Sequence, residues 1–454
     1  MNKQVKTYHI VTFGCQMNER DSETLAGMLE DAGYIGAEDK TSADVVVFNT
    51  CSIRDNADKR FFGVLGQWKK RKLSRPDMTV VVCGCMMQQA HIVDAIHRKY
   101  SWVDLILGTH NIHRFPELLS DAQSRSGHLS EIWDDAGAVV EELPACRKYP
   151  FKAYVNIMYG CNNFCTYCIV PYTRGRERSR RPEDILLEIR EIAAQGAKEV
   201  TLLGQNVNSY GKSPQGSEGY RTDDVPGGPD FAGLIRMIDE IPGVERIRFM
   251  TSHPKDISDD LIRAYAECKH LCPHIHLPVQ SGSDAVLTKM NRKYDRTRYL
   301  SIVASLRESC PDIAVTTDLI VGFPGESEED FQDTLDLVET VRFDSAFTFL
   351  YSPRKGTPAY SSAEQVPNDV KHDRFDRLIE VIHRIQGEKS RLYQGTTVQV
   401  LAEGPSRTDA GRFTGRTESS KVVDFSGTPD VVGRIVPVRI TDAGTFSLTG
   451  ELVR

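Results

Sequence analysis

Short apolar runs alternate with longer polar segments along the first third of the chain. The apolar runs predict β-strands at residues 9–13, 44–48, 79–82 and 104–107. The polar segments between them have helical periodicity, at residues 20–32, 54–72 and 88–99. Short apolar strands separated by helices are typical of a buried parallel sheet. The pattern therefore predicts an open parallel α/β domain over residues 1–120.

The same alternation continues through the central part of the chain. Six strands are predicted there, at residues 152–158, 199–203, 246–250, 274–279, 313–321 and 346–350. Helical patterns separate them, for example at residues 182–195 and 328–341. Such β/α units predict a partial (β/α)6 barrel of the TIM type over residues 151–392, with functional residues at the carboxyl ends of the strands.

The last part of the chain has a different pattern. Short strand-like runs broken by Gly and Pro occur at residues 398–401, 421–425 and 435–440. They predict a small antiparallel β-barrel over residues 395–454. Residues 121–150 lack clear periodicity and carry Gly, Pro and acidic residues, so this stretch is predicted to be a linker.

Composition is that of an ordinary soluble globular protein, with 40% apolar and 26% charged residues. The polar N-terminus lacks the apolar core of a signal peptide, and no apolar run is long enough to span a bilayer. We therefore expect a cytoplasmic protein with no membrane partner.

Charge changes this picture only locally. The net charge of −7 argues against a protein that coats nucleic acid indiscriminately. Between Arg147 and Arg181, however, there are eight Lys and Arg residues and one acid, Glu177. This local excess of positive charge favours an anionic partner. A solvated surface with chance clustering is the alternative.

Three cysteines lie in the loop after the first predicted barrel strand, at the spacing C-x3-C-x2-C: Cys161, Cys165 and Cys168. Clustered thiolates suit soft metals, and cysteine thiolates hold iron–sulfur clusters. Three sulfurs would leave one iron of a four-iron cluster open for chemistry. A zinc loop is the alternative, but a closed structural zinc site needs a fourth ligand nearby. No Cys or His lies between Cys168 and His253.

Three further cysteines, Cys15, Cys51 and Cys85, each follow one of the first three predicted strands. Because the carboxyl ends of parallel strands share one edge of a sheet, these cysteines are predicted to converge. We infer a second cluster with an open iron; three buried free thiols are the alternative. Cys83 is a rival for the third ligand, and we choose Cys85 because it follows a glycine, as Cys15 does.

The barrel cysteine loop resembles that of the radical S-adenosylmethionine (SAM) superfamily. Wider sequence blocks resemble the methylthiotransferases, most closely the members that act on isopentenylated adenosine in tRNA. These blocks are residues 158–180, Gly14-Cys15-Gln16-Met17-Asn18, Asn49-Thr50-Cys51-Ser52-Ile53-Arg54, Gly84-Cys85-Met86 and Phe413-Thr414-Gly415-Arg416-Thr417. The last block resembles the TRAM domain of that family. The third N-terminal block departs from the family pattern, because Met87-Gln88-Gln89 replaces Ala-Gln-Arg.

The resemblance implies two [4Fe-4S] clusters, one on each cysteine trio, and SAM bound over the barrel rim. The implied SAM contacts are Gly204, Gln205, Gln280, Ser281, Gly322 and Glu326. It further implies that SAM bound to the loop cluster is cleaved to a 5′-deoxyadenosyl radical. The other cluster would hold a sulfur that a second SAM methylates. The implied product is a methylthio group at C2 of N6-isopentenyladenosine at position 37, next to the anticodon.

The implied partners are the anticodon stem-loop of tRNA, with the target base splayed out, and a reduced flavodoxin or ferredoxin as electron donor. The chain is expected to act as a monomer. Two alternatives lie within the family: modification of threonylcarbamoyladenosine in tRNA, and of an aspartate in a ribosomal protein. From another class, a non-enzymatic iron–sulfur protein that binds RNA or senses redox state is the alternative. No role is assigned to Cys83, Cys146, Cys268, Cys272 or Cys310.

Overall fold

The computed structural model describes residues 5–52, 55–125, 127–216, 218–407, 409 and 411–453. Ile53 and Arg54, which end the second cysteine block of the sequence, lie outside the described residues. An N-terminal α/β domain, a central β/α barrel and a C-terminal β-barrel follow one another along the chain. No helix in the described ranges is both long enough and apolar enough to cross a membrane.

The N-terminal domain is a six-stranded parallel sheet with helices on both faces. In chain order its elements are β1 (Thr7–Thr12), α1 (Gln16–Asp31), β2 (Ile35–Gly36), β3 (Val45–Thr50), α2 (Asp55–Ser74), β4 (Thr79–Gly84), α3 (Ala90–Lys99), β5 (Leu105–Leu107), α4 (Phe115–Ser124) and β6 (Leu129–Glu131). The strand order is β2-β1-β3-β4-β5-β6, and every neighbouring pair is parallel. The predicted open parallel α/β domain is confirmed.

Burial on both faces explains why the central strands are apolar throughout. Val46 and Phe48 of β3 pack on one face with Trp68 of α2. Val45 and Val47 pack on the other face, in the cluster that contains α1 and α4. Since successive side chains point to opposite faces, a strand covered on both sides needs an apolar residue at nearly every position.

The N-terminal domain extends further than the sequence pattern predicts. β6 pairs with β5, so residues 121–131 belong to this domain and not to a linker. The strand was missed because its residues, Leu-Ser-Glu, include only one apolar side chain. The connector that follows, residues 132–150, contains no helix or strand.

The central body alternates strands and helices as predicted. Its elements are β7 (Lys152–Asn156), β8 (Met158–Tyr159), α5 (Val170–Thr173), β9 (Arg178–Ser179), α6 (Pro182–Ala194), β10 (Glu199–Leu203), α7 (Phe231–Asp239), β11 (Arg246–Phe249), α8 (Asp259–Glu267), β12 (His274–His276), α9 (Asp284–Lys289), α10 (Arg296–Ser309), β13 (Ala314–Val321), α11 (Glu328–Val341), β14 (Ser345–Leu350) and α12 (Asn368–Arg391). β12 is shorter than predicted, because Pro278 has no N–H group to donate to the ladder.

The six main strands form a partial barrel. β11-β10-β7 and β12-β13-β14 are two parallel sheets. A bridge between Ile247 of β11 and Leu271 joins them. The barrel is therefore open between β7 and β14, and the predicted partial (β/α)6 architecture is confirmed.

The C-terminal domain is a closed barrel of five strands in the order β15-β16-β17-β19-β18. These are β15 (Thr397–Pro405), β16 (Phe413–Thr417), β17 (Val422–Ser426), β18 (Ile435–Ala443) and β19 (Ser447–Leu452). The predicted small barrel is present, but it is not wholly antiparallel, because β17 pairs parallel with β19. Barrel closure joins two strands that run in the same direction, and local sequence patterns carry no information about that pairing.

Buried arginines of β11 attach the C-terminal barrel to the central one. Arg248 donates to the carbonyl oxygens of Thr417 and Glu418, both at 2.7 Å, and to Glu199 Oε2 at 2.8 Å. Arg246 donates to two further carbonyl oxygens of the C-terminal barrel. The C-terminal barrel therefore docks near the amino-terminal ends of β10 and β11, opposite the cysteine loop.

Replacing Arg248 with Met is expected to lower the free energy of unfolding by about 3–5 kcal/mol, since buried Glu199 would lose its nearest cation and two carbonyl oxygens of the C-terminal barrel would lose their donor. Hydrogen exchange of the β16 amides should increase. Arg263→Met is the matched control, because that side chain is 60% exposed and pairs with Asp260 within one turn of α8. It should change stability by ~1 kcal/mol at most. Equal protection of β16 in both variants would contradict the docking role.

Candidate functional site

The loop that carries the barrel cysteines is closed at its base by β8 and β9, which pair antiparallel. Gly160 begins the loop with a φ of +75°, and a Cβ there would collide with the carbonyl oxygen of Arg176. The Cys161 N–H then donates to Gly175 O at 3.1 Å. Only glycine satisfies both the backbone conformation and the close approach.

The three barrel cysteines share one site. Cys161 and Cys165 are buried, and Cys168 is partly exposed. The Cys168 N–H donates to Cys165 O at 2.9 Å. Burial raises the pKa of the Cys168 thiol to about 12, and the charge of Cys165 acts in the same direction. Burial also raises the pKa of Cys161, with smaller contributions from Cys165 and Cys168, so the three sulfurs lie within electrostatic reach of one another.

Arg292 is a buried cation of this site. Its Nη1 lies 3.4 Å from Cys165 Sγ, its Nη2 donates to Pro278 O at 2.8 Å, and its Nε donates to the Tyr294 hydroxyl at 3.0 Å. Sequence reasoning missed this residue, because its cysteine partner lies 127 positions away in the chain.

The structure also brings together Cys15, Cys51 and Cys85 at the carboxyl edge of the N-terminal sheet. A Cβ added at Gly14 would contact Cys51 Sγ. Cys15 forms a side-chain hydrogen bond with Cys51 and is close enough to Cys85 to affect its pKa. The site is held by a buried asparagine, Asn18, whose Nδ2 donates to the carbonyl oxygen at the end of β3 at 3.0 Å.

The thiol of Cys15 is more acidic than that of Cys85, whose pKa is raised by burial. It lies at the N-cap of α1. The hydrogen bond with Cys51 is the largest cause that lowers the pKa of its thiol to about 6, although burial opposes it. Arg174 and the backbone N–H groups of Met17 and Asn18 lower the pKa further. Helix N-termini and nearby cations stabilise thiolates in this way.

Cys83 lies on the face of the sheet that α1 and α4 cover. It packs with Val81 and Leu105 in the apolar cluster against α1 and α4. Burial raises its thiol pKa strongly. Cys85 lies beyond the end of β4 and joins the trio. The choice of Cys85 over Cys83 as the third ligand stays a prediction, which the position of Cys85 beside Cys15 supports.

Arg174 connects the two cysteine sites. It belongs to the barrel loop, at the end of α5, yet its Nε donates to Cys85 Sγ at 3.0 Å. Its Nη2 pairs with Asp21 Oδ2 of α1 at 2.6 Å. A cavity of about 490 Å³ between the domains is lined in part by Arg174 and Asp21. The local excess of positive charge in the sequence includes this arginine.

Both trios suit an iron–sulfur cluster by the chemistry of their donors. Each offers three cysteine thiols at the carboxyl end of a parallel sheet, with a buried arginine beside one sulfur. A coordinating thiol is deprotonated by the metal, which overrides the burial that keeps it neutral. Within the described ranges, no three or more Cys, His, Asp or Glu side chains are arranged around a single metal ion. A cluster differs from that arrangement, since each thiolate binds a different iron.

Three predicted SAM contacts lie on loops at the barrel mouth. Gly204 and Gln205 directly follow β10, and Gln205 Nε2 lies 2.6 Å from Met17 Sδ of the N-terminal domain. Gln280 has a φ of +72°, and its N–H donates to Asp318 O at 2.9 Å. The N-terminal domain therefore packs directly against the rim. The roles of these residues in binding SAM stay predictions.

The other predicted contacts are engaged within the protein. Ser281 Oγ lies 3.3 Å from Thr334 Oγ1. The Glu326 carboxylate accepts hydrogen bonds from Gly322 N and Arg374 Nη1, both at 2.9 Å. Burial raises the pKa of Glu326 to about 7, against the effect of these two donors. The side chains of Ser281 and Glu326 thus stabilise the rim loops, and direct contact with SAM through them stays a prediction.

Buried polar atoms without hydrogen-bond partners gather at the same rim. Among the described residues they include Gln205 Oε1, Asn206 Oδ1, Ser252 Oγ, His253 Nε2 and Tyr351 OH, which follow β10, β11 and β14. Buried polar groups normally have partners, so these atoms fit a polar ligand such as SAM. Only Gln205 was predicted as a contact, and the position of the others at strand ends is the signal that could have found them.

Apart from Cys83, the cysteines without an assigned role lie away from both trios. Cys146 is near Tyr8 and Glu30 of the N-terminal domain. Cys272 is near Arg248, at the opposite end of the barrel. Cys268 and Cys310 pack in or against the apolar core of the central body.

This fold and site define a radical SAM protein. Residues 155–338 match the model of the Radical SAM superfamily, residues 7–108 match that of the Uncharacterized protein family UPF0004, and residues 391–453 match the TRAM domain. Among solved structures, the radical S-adenosylmethionine methyltransferase TsrM from Kitasatospora setae has a TM-score of 0.56 at 12% identity, covering 84% of this chain and 89% of that one. At this identity the similarity concerns the fold.

Relatives that match over nearly the full length of the chain identify the particular family within this superfamily. The tRNA-2-methylthio-N(6)-dimethylallyladenosine synthase of Clostridium tetani is 54% identical over 99% of this chain and 97% of its own. The enzymes of the same name from Alkaliphilus oremlandii and Clostridium perfringens are 53% and 52% identical, over 99% and 100% of this chain and 93% and 99% of theirs. The chain belongs to the family of tRNA-2-methylthio-N(6)-dimethylallyladenosine synthases, and the family resemblance of its sequence is confirmed.

Proposed function

We propose that this protein transfers a methylthio group to C2 of N6-isopentenyladenosine at position 37 of tRNA. The observation that carries the proposal is the pair of cysteine trios at one domain interface. Arg174, from the loop that carries the barrel trio, crosses this interface and donates a hydrogen bond to Cys85 of the N-terminal trio. The names of the relatives supply the substrate class, a dimethylallylated adenosine in tRNA.

Cys161, Cys165 and Cys168 would hold one [4Fe-4S] cluster, and Cys15, Cys51 and Cys85 the other. When bound, the clusters and SAM supply the radical, the sulfur and the methyl group, which side chains alone cannot provide. The polar atoms of the rim would orient SAM, since they are buried and have no other partner in the described residues.

The packing of the N-terminal domain against the barrel also excludes water from the site. The N-terminal domain covers the rim through the contact of Gln205 with Met17 and the hydrogen bond from Thr109 Oγ1 to Thr173 O, at 2.8 Å. A covered rim protects reactive intermediates from side reactions. The domain therefore closes the site as well as supplying cysteines.

The cysteine loop also presents a surface suited to RNA. The rings of Phe164 and Tyr172 pack edge to face with centroids 6.0 Å apart. The Arg176 guanidinium lies 4.3 Å from the Phe164 ring centroid. Tyr172 is 48% exposed. Aromatic rings and arginines bind unstacked bases and phosphates, so the anticodon loop would dock here.

The double substitution Tyr172→Ala and Arg176→Ala is expected to weaken binding of the anticodon stem-loop about 10- to 100-fold, from the ~1–3 kcal/mol that base stacking contributes. Fluorescence anisotropy at one fixed salt concentration measures it. Met237→Ala with Arg263→Ala, on the outer helices α7 and α8, is the matched control. Equal losses in the two double variants would remove the assignment of this surface.

The function itself is tested with anaerobically reconstituted protein, SAM, reductant and sulfide. The substrate is an anticodon stem-loop that contains N6-isopentenyladenosine, and mass analysis of its nucleosides should detect the methylthio form. Release of 5′-deoxyadenosine without product would exclude this substrate. Conversion of a threonylcarbamoyladenosine stem-loop instead would favour the alternative within the family. No 5′-deoxyadenosine under any condition would exclude a radical SAM enzyme.

In the cell, a reduced flavodoxin or ferredoxin would supply the electron for cleavage of SAM, and the protein would work as a cytoplasmic monomer. Phe164 and Tyr172 pack together, and Arg176 covers the Phe164 ring. This surface beside the cysteine loop supports the proposal of a macromolecular partner.

A further inference from the structure

Arg174 contributes to a site that its own domain does not contain. Its backbone N–H donates to Val170 O at 2.8 Å, which fixes it at the end of α5 in the barrel. Its side chain crosses to the N-terminal domain, where only 7% of it is exposed. There its Nε lies 3.0 Å from Cys85 Sγ. The guanidinium is therefore a buried donor aimed at one of the predicted cluster sulfurs.

Asp21 orients this guanidinium. Its Oδ2 accepts from Arg174 Nη2 at 2.6 Å, and the carboxylate is itself largely buried. Because a carboxylate binds one side of the planar guanidinium, the Nε–H group of the arginine points in a defined direction. The ion pair thus positions the hydrogen bond to the Cys85 sulfur.

We propose that Arg174 is a positioning residue that raises the reduction potential of the cluster held by Cys15, Cys51 and Cys85. The inference rests on the proposed function, in which this trio binds a [4Fe-4S] cluster. Hydrogen bonds to cluster sulfurs set the potential, as does local charge. A buried cation stabilises the more negative, reduced cluster. Arg174 also binds the cluster domain to the barrel, so the potential depends on correct docking of the two domains.

Arg292 provides an internal comparison. Its Nη1 lies 3.4 Å from Cys165 Sγ in the other trio, and it is also buried. Each trio therefore has one arginine beside one sulfur. If these arginines act on their own clusters, each substitution should change one potential and leave the other unchanged.

The test uses the full chain with Cys161, Cys165 and Cys168 replaced by Ala, so that only the N-terminal cluster forms. Arg174→Met, Arg174→Lys and Arg292→Met are made in this background. Iron and sulfide analysis measures loading, and a redox titration followed by electron paramagnetic resonance measures the midpoint potential. Arg174→Met should favour the oxidised cluster about tenfold, which is ~59 mV for one electron. Arg174→Lys should shift less, and Arg292→Met should have no effect.

The reciprocal background replaces Cys15, Cys51 and Cys85 by Ala. There Arg292→Met should shift the potential and Arg174→Met should not. Asp21→Glu, in the first background, keeps the negative charge but displaces the carboxylate that orients Arg174. It should shift the potential in the same direction as Arg174→Met, because the guanidinium loses its orienting contact.

Three outcomes would overturn the inference. A fully loaded Arg174→Met cluster with unchanged potential overturns the role of Arg174 alone. If Arg174→Met does not load, an unshifted potential in loaded Arg174→Lys and Asp21→Glu has the same meaning. Absence of any cluster on the N-terminal trio with Arg174 intact overturns the proposed function together with this inference.

Discussion

Replacing Cys15, Cys51 and Cys85 together by Ala is expected to abolish methylthio transfer while cleavage of SAM continues. The trio lies on the N-terminal sheet, and the barrel cysteines have their own loop, held by Gly160 and by Arg292. Loss of one set of thiols therefore leaves the other set of ligands in place. Mass analysis of RNA nucleosides measures the transfer, and release of 5′-deoxyadenosine measures the cleavage.

Cys83→Ala is the matched control for this experiment. Cys83 is a buried thiol two residues before Cys85, but it packs in the apolar cluster between the sheet and helices α1 and α4. Its loss should cost about 1 kcal/mol of stability through a small cavity and leave methylthio transfer intact. Continued transfer by the triple variant, or its loss in Cys83→Ala, would mean that the N-terminal ligands are wrongly assigned.

Gly160→Ala is expected to remove the cluster of the barrel loop and with it cleavage of SAM. A positive φ costs a non-glycine residue roughly 1–2 kcal/mol. The larger effect is steric, because the new Cβ would collide with the backbone oxygen of Arg176. The β8–β9 base of the loop must then open, and Cys161 moves with it. Iron analysis of the reconstituted protein and the yield of 5′-deoxyadenosine measure the result.

Gly395→Ala separates the collision from the backbone strain. Gly395 has a φ of +78°, close to that of Gly160, but nothing lies within 4 Å of a Cβ added there. This variant should bind iron and cleave SAM as the parent does. If Gly160→Ala also retained its iron and cleavage, the loop would tolerate the shift, and the glycine would have no role in holding the cysteines.

The elements predicted best are strands covered on both faces and amphipathic helices packed against them. β10 was predicted at residues 199–203 and is Glu199–Leu203, and α11 was predicted at 328–341 and is Glu328–Val341. Apolar runs in a covered sheet and amphipathic helices around it leave patterns that tertiary contacts reinforce. The short, polar β6 had no such pattern, and the parallel pairing of β17 with β19 depends on barrel closure.

In the candidate site, too, some features follow from the order of residues in the chain and others only from tertiary contacts. Spacing alone identified both cysteine trios, because a loop after a strand and a shared sheet edge are consequences of chain order. The partners of the site were not visible: Arg174 lies 89 positions from Cys85, and Arg292 lies 127 positions from Cys165. Ser281 and Glu326 were predicted as ligand contacts, yet their side chains bind Thr334 and Arg374.

By itself the sequence determined the three bodies, the order of their strands and helices, the two cysteine trios and the family. These depend on local periodicity, on motif spacing and on the order of the β/α units along the chain. Only the tertiary structure decided which face Cys83 occupies, which side chains are already engaged, and that Arg174 of the barrel reaches a sulfur of the N-terminal domain. Those features depend on hydrogen bonds between segments far apart in the chain, whose geometry exists only after the domains have packed.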